Sequence, residues 1–307
     1  MDCIIKYWSN LLDNKEFLHG VITWMGTIFP VYVFVICSKF TFKDIGQEIR
    51  NNRWLLLKVL LVASMLVPLI AAGIVKIFHG PLVLGGIMLI ASTAAGDPFD
   101  LVDARGKKGS LLMASVVMML LVLVMPLTVH CWMRVFSQWF PLHLSASPVN
   151  IFTKVSLVVL PPMIAGLLLR QLLPDLAEKL AGILHKYFIV SALTIAIFFF
   201  PSAVKAIIFK FGLTGIAAMG IVTTLTLFAG YYAVGGSNRK DRISIALACS
   251  LGNMVAVLFI VHHCYPKLDM DVFLITVLGW VVLRWVIIWF WYFFMKFRLA
   301  RRGELLT

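Results

Sequence analysis

Long apolar runs separated by short basic segments set the pattern of this chain. Nine of these runs are close to the roughly 20 apolar residues that a helix needs to cross the hydrocarbon core of a bilayer. The pattern predicts an all-α polytopic membrane protein with nine transmembrane helices. The predicted spans are Phe17–Ser38, Trp54–Ile77, Leu82–Ala104, Ser110–Trp132, Ile151–Leu169, Tyr187–Ala206, Gly215–Val234, Ile243–Val261 and Val272–Phe297.

Two of these spans are interrupted by small and polar residues. In the third span, the apolar run from Leu82 to Ile90 leads into Ala91 to Asp100, which contains two carboxylates and a proline. In the eighth span, the interruption runs from Ala248 to Asn253. Backbone freed by a broken helix is tolerated at membrane depth only where protein buries it or where it lines a watery cavity. Both spans are therefore predicted to be discontinuous helices.

Each interruption contains a residue that can begin a second half-helix. Asp97 before Pro98 is the pairing expected of an N-cap and the first helical residue, and Asn253 can cap the half-helix of the eighth span. Two interrupted segments at corresponding places in two halves indicate the binding site of a secondary transporter built from an inverted repeat. The predicted organisation is an extracytoplasmic segment 1–16, a first repeat 17–133, an outer loop 134–150, a second repeat 151–297 and a cytoplasmic tail 298–307.

Composition and charge agree with this class. Hydrophobic residues make up 61% of the 307 residues and charged residues only 13%, against about 45–50% and roughly 25% in soluble domains. In a soluble chain, the net charge of +13 would suggest a nucleic-acid partner. Here we expect none, because the Lys and Arg residues of a membrane protein are concentrated in its cytoplasmic loops. If the loop after the first span is cytoplasmic, that side holds seventeen Lys and Arg and the opposite side seven. The prediction is a multi-pass protein of the cell (inner) membrane with its N-terminus outside and its C-terminus in the cytoplasm.

Candidate site residues come from the two interruptions, from a charged residue deep in the last span and from Ser115 in the fourth span. Asp97 and Asp100 stand three positions apart, close to one face if helical, so one or both could titrate or bind a cation during transport. Arg284 lies near the middle of the last span, too deep for its head group to reach water easily. The predicted substrate-binding residues are Ser92, Thr93, Asp97, Ser250, Asn253 and Arg284, and the predicted residues for cation or proton coupling are Asp97, Asp100 and Ser115.

Each of these residues also has a structural interpretation. Asp97 could serve only as an N-cap, and Asp100 could lie in a solvated vestibule. Small hydroxyl residues often bond back to their own helix. An ionised Asp97 would compete with an anion for the same helix N-terminus. Either Asp97 is protonated when substrate binds, or the anion uses the half-helix after Asn253, or the substrate is not an anion.

The remaining residues that could bind a metal or a cofactor predict neither. The five cysteines are odd in number and scattered, which predicts neither a disulfide framework nor a zinc site. We expect no metal site and no cofactor, while Na+ stays open as a coupling ion; the partners are the lipid bilayer and a small substrate, and nothing indicates an oligomeric state. In the last span, Trp280, Trp285, Trp289 and Trp291 predict a lipid-facing aromatic belt, with an aromatic cage for the substrate as the alternative.

Several short motifs along nearly the whole chain resemble those of the bile acid:sodium symporter superfamily. They include an amphipathic loop, a proline-bearing second span, a small-residue run that leads into the first interruption, and an arginine before the fourth span. The matching stretches are Lys39-Phe40-Thr41-Phe42-Lys43-Asp44, Val67-Pro68-Leu69, Gly85 to Phe99, Ala104-Arg105-Gly106, Leu160-Pro161-Pro162 through Leu173-Pro174, and Ala246 to Val257. The resemblance implies a fold of ten helices, or nine in shorter members, with the first of the ten absent here, and with a panel domain and a core domain that contains two crossing broken helices. It also implies alternating-access transport of organic anions, often driven by sodium.

The chain departs from the sodium-coupled members of that superfamily at the interruptions. Those members have an acidic residue at the start of the second interruption, where Ala248 stands here. Their Gln or Arg before the Asn of this interruption matches Gly252, while Asn253 is retained. Their Ser-Asn pair after the first interruption falls near Phe99 and Asp100. The resemblance therefore supports the predicted fold more strongly than it supports sodium coupling.

The function predicted from the sequence is secondary active transport of a small organic anion, bile-acid-like, keto-acid-like or pantoate-like, coupled to sodium or protons. Arsenite or oxyanion efflux, which the same superfamily includes, relies on a cysteine in the first broken helix, and Ser92 to Asp100 contains none. An enzyme is not expected, because Ala94-Ala95-Gly96-Asp97 lacks the first glycine of the Gly-x-Gly-Asp motif of intramembrane aspartyl proteases. A non-transporting membrane sensor is a further alternative.

Overall fold

The computed structural model describes residues 27–28, 30–78, 82–96, 111–140, 148–206, 212–235, 239–250, 252–253, 256–257, 260–261 and 270–300. Within these ranges the chain is helical apart from short connections, and no strand occurs. Among the described residues, five helices are long and apolar enough to cross a membrane: Phe42–Ile77, Leu112–Trp139, Phe152–Leu172, Gly212–Val234 and Gly279–Phe297. The all-helical prediction is confirmed for this part of the chain.

The helices follow one another in two groups, one in each half of the chain. The first group consists of residues 30–37 (α1), α2 Phe42–Leu61, the π-helical segment π1 Val62–Leu66, α3 Val67–Ile77, α4 Leu82–Thr93 and α5 Leu111–Trp139. The second group consists of α6 Pro148–Leu172, α7 Pro174–Ala206, α8 Gly212–Phe228, the π-helical segment π2 Ala229–Val234, α9 Arg239–Cys249 and α10 Met270–Ala300. Residues 256–257 and 260–261 are helical as well.

Helix α2 begins with a reciprocal cap and changes character at a kink. The Asp44 backbone N–H donates to the Thr41 hydroxyl at 3.2 Å, and the Thr41 N–H donates to the Asp44 carboxylate at 2.9 Å, which satisfies two helix-end donors at once. At Asn52 the backbone leaves the helical region, with φ −119° and ψ 25°. The kink separates a polar beginning from an apolar continuation. The predicted second span, which starts at Trp54, coincides with this continuation.

The two short helices α4 and α9 lie in the interior of the helix bundle. Helix α4 packs against α3 and α5, and α9 packs against π2 and α5. Most of their side chains are buried. Helix α10 packs against α7 and α8 and also reaches α4. Large apolar side chains on α2, α6 and α10 remain exposed on the outside of the bundle, as expected of surfaces that face lipid.

The π-helical segments π1 and π2 contact each other. Each also makes a close contact with another helix, π1 with α5 and π2 with α9. In π1, the Ser64 carbonyl accepts a hydrogen bond from Trp132 Nε1 at 2.6 Å. In π2, Gly230 lies against α9 so closely that a Cβ there would stand 2.8 Å from the Ala246 Cα. A π turn frees backbone groups from the regular ladder and is often found at functional sites.

The tryptophans of α10 divide into two pairs. Trp285 and Trp289 are exposed, as the predicted aromatic belt requires. Trp280 and Trp291 are buried, so the belt prediction is wrong for these two. Trp280 Nε1 donates to the Thr223 hydroxyl of α8 at 3.3 Å, and the indole of Trp291 packs edge-on against the Tyr231 ring at 5.8 Å. The packing partners of α10 in α8 and π2 account for the difference.

Candidate functional site

The first interruption begins where α4 ends. Its last helical residue is Thr93, and Ala94 to Gly96 continue as non-helical chain. Gly96 has φ +90°, a conformation that side chains disfavour and glycine adopts freely. Beyond Gly96 the chain leaves the described residues, so the predicted N-cap Asp97 and the neighbouring Asp100 lie outside them.

The second interruption separates α9 from a second half-helix. Helix α9 ends at Cys249, and Gly252 and Asn253 are non-helical. The Ala256 N–H donates to Asn253 Oδ1 at 3.0 Å, and the Val257 N–H donates to the Asn253 carbonyl at 2.9 Å. An acceptor bonded to the third residue of a helix is the geometry of an N-cap. Asn253 therefore caps the half-helix that follows, as its position in the sequence predicted.

The two interruptions meet, and Asn253 joins them. Its backbone N–H donates to the Ala94 carbonyl, and its side-chain Nδ2 donates to the Gly96 carbonyl at 3.0 Å. Next to it, Gly252 lies directly on the first interruption, where an added Cβ would overlap the Ala91 carbonyl. We call this contact region, formed by Ala91–Gly96 together with Ser250, Gly252 and Asn253, the crossing. Because both faces of the contact are backbone, the crossing requires a residue without a side chain at position 252.

The predicted hydroxyl ligands are directed back into their own helices. Ser92 Oγ donates to the Leu89 carbonyl at 2.7 Å and Thr93 Oγ1 to the Ile90 carbonyl at 2.8 Å. Ser250 Oγ donates to the Leu247 carbonyl at 2.7 Å. All three side chains are buried, as is Ser115 within α5. The structure thus brings Ser92, Thr93 and Ser250 to the crossing with their hydroxyl hydrogens engaged locally.

Two threonines that the sequence analysis did not select complete the crossing. Thr128 Oγ1 of α5 lies 3.0 Å from the Thr93 carbonyl oxygen, and Thr226 Oγ1 of α8 lies 2.9 Å from the Ser250 carbonyl oxygen. Both hydroxyls also lie within hydrogen-bonding distance of carbonyls in their own helices. Each therefore supports the last carbonyl of one interrupted half-helix, which has no partner within its own helix.

Arg284 brings a formal positive charge to the crossing. Its side chain is 1% exposed, and Nη2 lies 3.4 Å from Ser250 Oγ. Trp280 stands one turn earlier on the same face of α10 and bonds to α8. Arg284 and Asp241 are the two buried charged side chains in the described part of the chain. Asp241 belongs to the first turn of α9, at the opposite end of that helix from Ser250.

A second positive region lies where the kinked part of α2 approaches the end of π2. Arg50, Arg53 and Lys58 line an open cleft of about 760 Å³ together with Trp54 and Val234. Three cations without a carboxylate in the lining give the cleft a positive potential. Among the described residues, no group of three or more His, Cys, Asp or Glu is arranged to hold a metal ion.

The comparisons with known proteins agree with the fold. The sequence profile of the family described as "Sodium Bile acid symporter family" matches residues 27–210. This match covers more than half of the chain, from α1 to the end of α7. No curated protein matches the chain significantly.

Proposed function

Because this chain belongs to the sodium bile acid symporter family, we propose that it is a secondary active transporter that carries a small organic anion by alternating access. The gradient of sodium or of protons drives the movement. The chain is a multi-pass membrane protein, and the proposal extends that coarser statement to a substrate class and to a mode of coupling.

The crossing is the observation that carries the proposal. Two interrupted helices from the two halves of the chain contact each other through backbone alone at Gly252. Transporters place their substrate and ion sites at such paired breaks, because the half-helix ends offer unsatisfied N–H and carbonyl groups at membrane depth. A purely structural helix bundle has no need to interrupt two buried helices at one place.

The repeated arrangement of the elements supports an inverted repeat of nine helices, with a panel domain and a core domain. A π-helical segment precedes each break in the sequence, and π1 and π2 contact each other. The helix after each break returns to it: Thr128 of α5 bonds to Thr93, and Arg284 of α10 bonds to Ser250. Corresponding elements thus perform corresponding roles in the two halves.

The positive charge of Arg284 supports an anionic substrate. A buried guanidinium at the crossing raises the local potential in a medium of low dielectric constant, where it attracts a carboxylate far more strongly than in water. In this proposal Arg284, Asn253 and the hydroxyls of Ser92, Thr93 and Ser250 bind the substrate, together with Asp97. The hydroxyls would first exchange their present bonds to Leu89, Ile90 and Leu247 for bonds to the substrate.

Asp97, Asp100 and Ser115 are the residues that we propose for cation or proton coupling. Two carboxylates within the first interruption lie close enough in the sequence to the crossing to respond when it moves. The excess of Lys and Arg on one side of the predicted spans supports an orientation with the C-terminus in the cytoplasm of the cell.

The proposal is tested by uptake into proteoliposomes that contain the purified full chain. The substrates are radiolabelled carboxylates that include a bile acid, a keto acid and pantoate, and the sodium and proton gradients are imposed separately. We expect gradient-dependent accumulation of at least one carboxylate. We also expect Arg284→Gln to reduce it at least about tenfold, because a lost charge-assisted contact is worth roughly 1.5–3 kcal/mol.

Lys296→Ala is the matched control, since Lys296 is an exposed cation of the same helix α10 and its removal should leave uptake unchanged. Accumulation of no carboxylate under either gradient would contradict the proposal.

A further inference from the structure

Four carbonyl groups of the crossing accept hydrogen bonds from donors of the protein. Thr128 and Asn253 supply donors to the carbonyls of Thr93, Ala94 and Gly96 in the first break. Thr226 supplies a donor to the Ser250 carbonyl in the second break. In transporters with discontinuous helices, a bound sodium ion takes such carbonyl oxygens as ligands, whereas here four of them accept N–H or O–H groups. At the crossing, these backbone carbonyls thus find their hydrogen-bond partners within the protein.

The positive charge at the crossing stands at the end of α9, which attracts cations. The last carbonyls of a helix carry the negative end of its dipole, and discontinuous membrane helices use such ends to bind sodium. Arg284 reaches this end from α10, with Nη2 beside Ser250 Oγ and the side chain almost completely buried. The guanidinium therefore lies where the dipole of α9 favours a cation.

The close packing of the crossing leaves the two breaks without an intervening layer. Gly252 touches the carbonyls of Ala91 and Ala94 so closely that even a methyl group would overlap them. Asn253 adds two hydrogen bonds between the same segments. A cation bound between the two breaks would have to separate them and so break these bonds, while Arg284 leaves them in place because it approaches from the side of α10.

We propose that the guanidinium of Arg284 is a built-in cation of the crossing, which takes the place of a sodium ion at the end of α9. The inference rests on the proposed transport function for its consequence, namely that uptake does not depend on a sodium gradient. Because the guanidinium is part of the protein, its charge is present in every step of the transport cycle. Of the two ions named under the proposed function, the proton is then the one that drives transport, and it acts elsewhere than at these carbonyls.

The first test measures thermal unfolding of the purified full chain without substrate, in NaCl and in choline chloride at constant ionic strength. A ligand that binds only the folded state raises the melting temperature as its concentration rises. For the wild-type protein we expect the two salts to give the same melting temperature within about 1 °C up to roughly 150 mM. A saturable rise specific to sodium of more than about 2 °C would overturn the proposal.

The second test replaces the charge chemically. Arg284→Ala leaves a space the size of the side chain beside Ser250, and Arg284→Lys keeps a cation there. We expect Arg284→Ala to unfold at a lower temperature than wild type and to regain at least half of the loss in about 10 mM methylguanidinium. The melting temperature of Arg284→Lys should lie between those of wild type and Arg284→Ala. The melting temperature of Lys296→Ala should respond to methylguanidinium no more than that of wild type does. Equal stability of Arg284→Ala and Arg284→Lys, without rescue, would show that the charge has no role.

Should Arg284→Ala fail to fold, the comparison of salts on wild-type protein and on Arg284→Lys still decides the question. The failure of the transport proposal is separate, because it appears as an absence of uptake and leaves these unfolding measurements unaffected. Uptake that requires a sodium gradient would contradict the built-in cation while it supports the transport function.

Discussion

Gly252 is the residue on which the contact between the two breaks depends. It has no side chain at a place where the backbone of the other break passes, and a Cβ would overlap the Ala91 carbonyl and stand 2.8 Å from the Ala94 carbonyl oxygen. Glycine is required here for a steric reason. A substitution therefore separates two backbone segments, which no change of rotamer can prevent.

We expect Gly252→Ala to destabilise the folded chain by about 1–3 kcal/mol, the usual cost of overpacking, and to abolish carboxylate uptake. Gly73→Ala is the matched control: Gly73 lies in helix α3 with open space around its missing Cβ, so alanine there should be neutral or stabilise by up to about 1 kcal/mol. The measurements are thermal unfolding in detergent and proteoliposome uptake. Wild-type uptake by Gly252→Ala would mean that the breaks can separate without loss of function.

Asn253 combines two roles that one amide can perform at the same time. Its Oδ1 caps the following half-helix through Ala256, while its Nδ2 reaches the Gly96 carbonyl. An aspartate would keep the cap but would set an oxygen against the Gly96 carbonyl. The donor and the acceptor of an amide are both needed, which explains why this break has Asn where the first break offers Asp97.

The interrupted helices α4 and α9 depend on intact neighbours for their last carbonyls. Thr128 of α5 and Thr226 of α8 lie in long apolar helices, and each directs its hydroxyl toward a carbonyl of a different element. An unpaired carbonyl in a membrane interior has no water to bond with. The unbroken helices therefore stabilise the broken ones.

We expect Thr128→Val and Thr226→Val each to lower stability by about 0.5–2 kcal/mol, because valine keeps the shape and removes the donor. Thr153→Val is the control, since Thr153 is exposed on α6 and donates only to Val149 of its own helix. Thermal unfolding of the three variants checks the expectation. Losses of the same size in all three would show that the contacts with the breaks add nothing to ordinary bonding within a helix.

The distribution of basic residues predicts the orientation of the whole molecule in the membrane, and reporter fusions to the full chain can measure it. We expect a fluorescent protein at the C-terminus to fold and fluoresce, and alkaline phosphatase at the same place to stay inactive, because the excess of Lys and Arg predicts a cytoplasmic tail. Phosphatase fused to the N-terminus is the control and should be active. The reverse pattern would contradict the orientation.

The sequence predicted the helical architecture and the two breaks because both are written in local composition. A run of apolar residues must be helical in lipid, and Ser, Gly and Asn within it mark an interruption, so Ser250, Gly252 and Asn253 were found directly. Thr128 and Thr226 were missed because a single threonine in an apolar helix ordinarily bonds to its own preceding turn. Their second partners are distant in the sequence and appear only when the helices pack.

The π-helical segments and the buried tryptophans were missed for related reasons. A π turn adds one residue to a helix, and within a long apolar span such as the one that contains Val62–Leu66 the extra residue does not change the hydropathy pattern. Trp280 and Trp291 share a sequence context with the exposed Trp285 and Trp289. The packing of α10 against α8 and π2 decides which tryptophans face lipid, and no local pattern specifies that packing.

The hydrogen bond from Asn253 to Gly96 joins positions that are 157 residues apart, and this separation has a consequence for biosynthesis. A ribosome adds about 5–20 residues per second, so the Gly96 carbonyl is made on the order of 8–30 s before its donor exists. Throughout that interval the first half of the chain must find water or an insertion factor for a group that hydrocarbon cannot satisfy. The nascent protein can therefore complete its burial only after the penultimate helix has emerged, and its assembly in the membrane follows the order of translation.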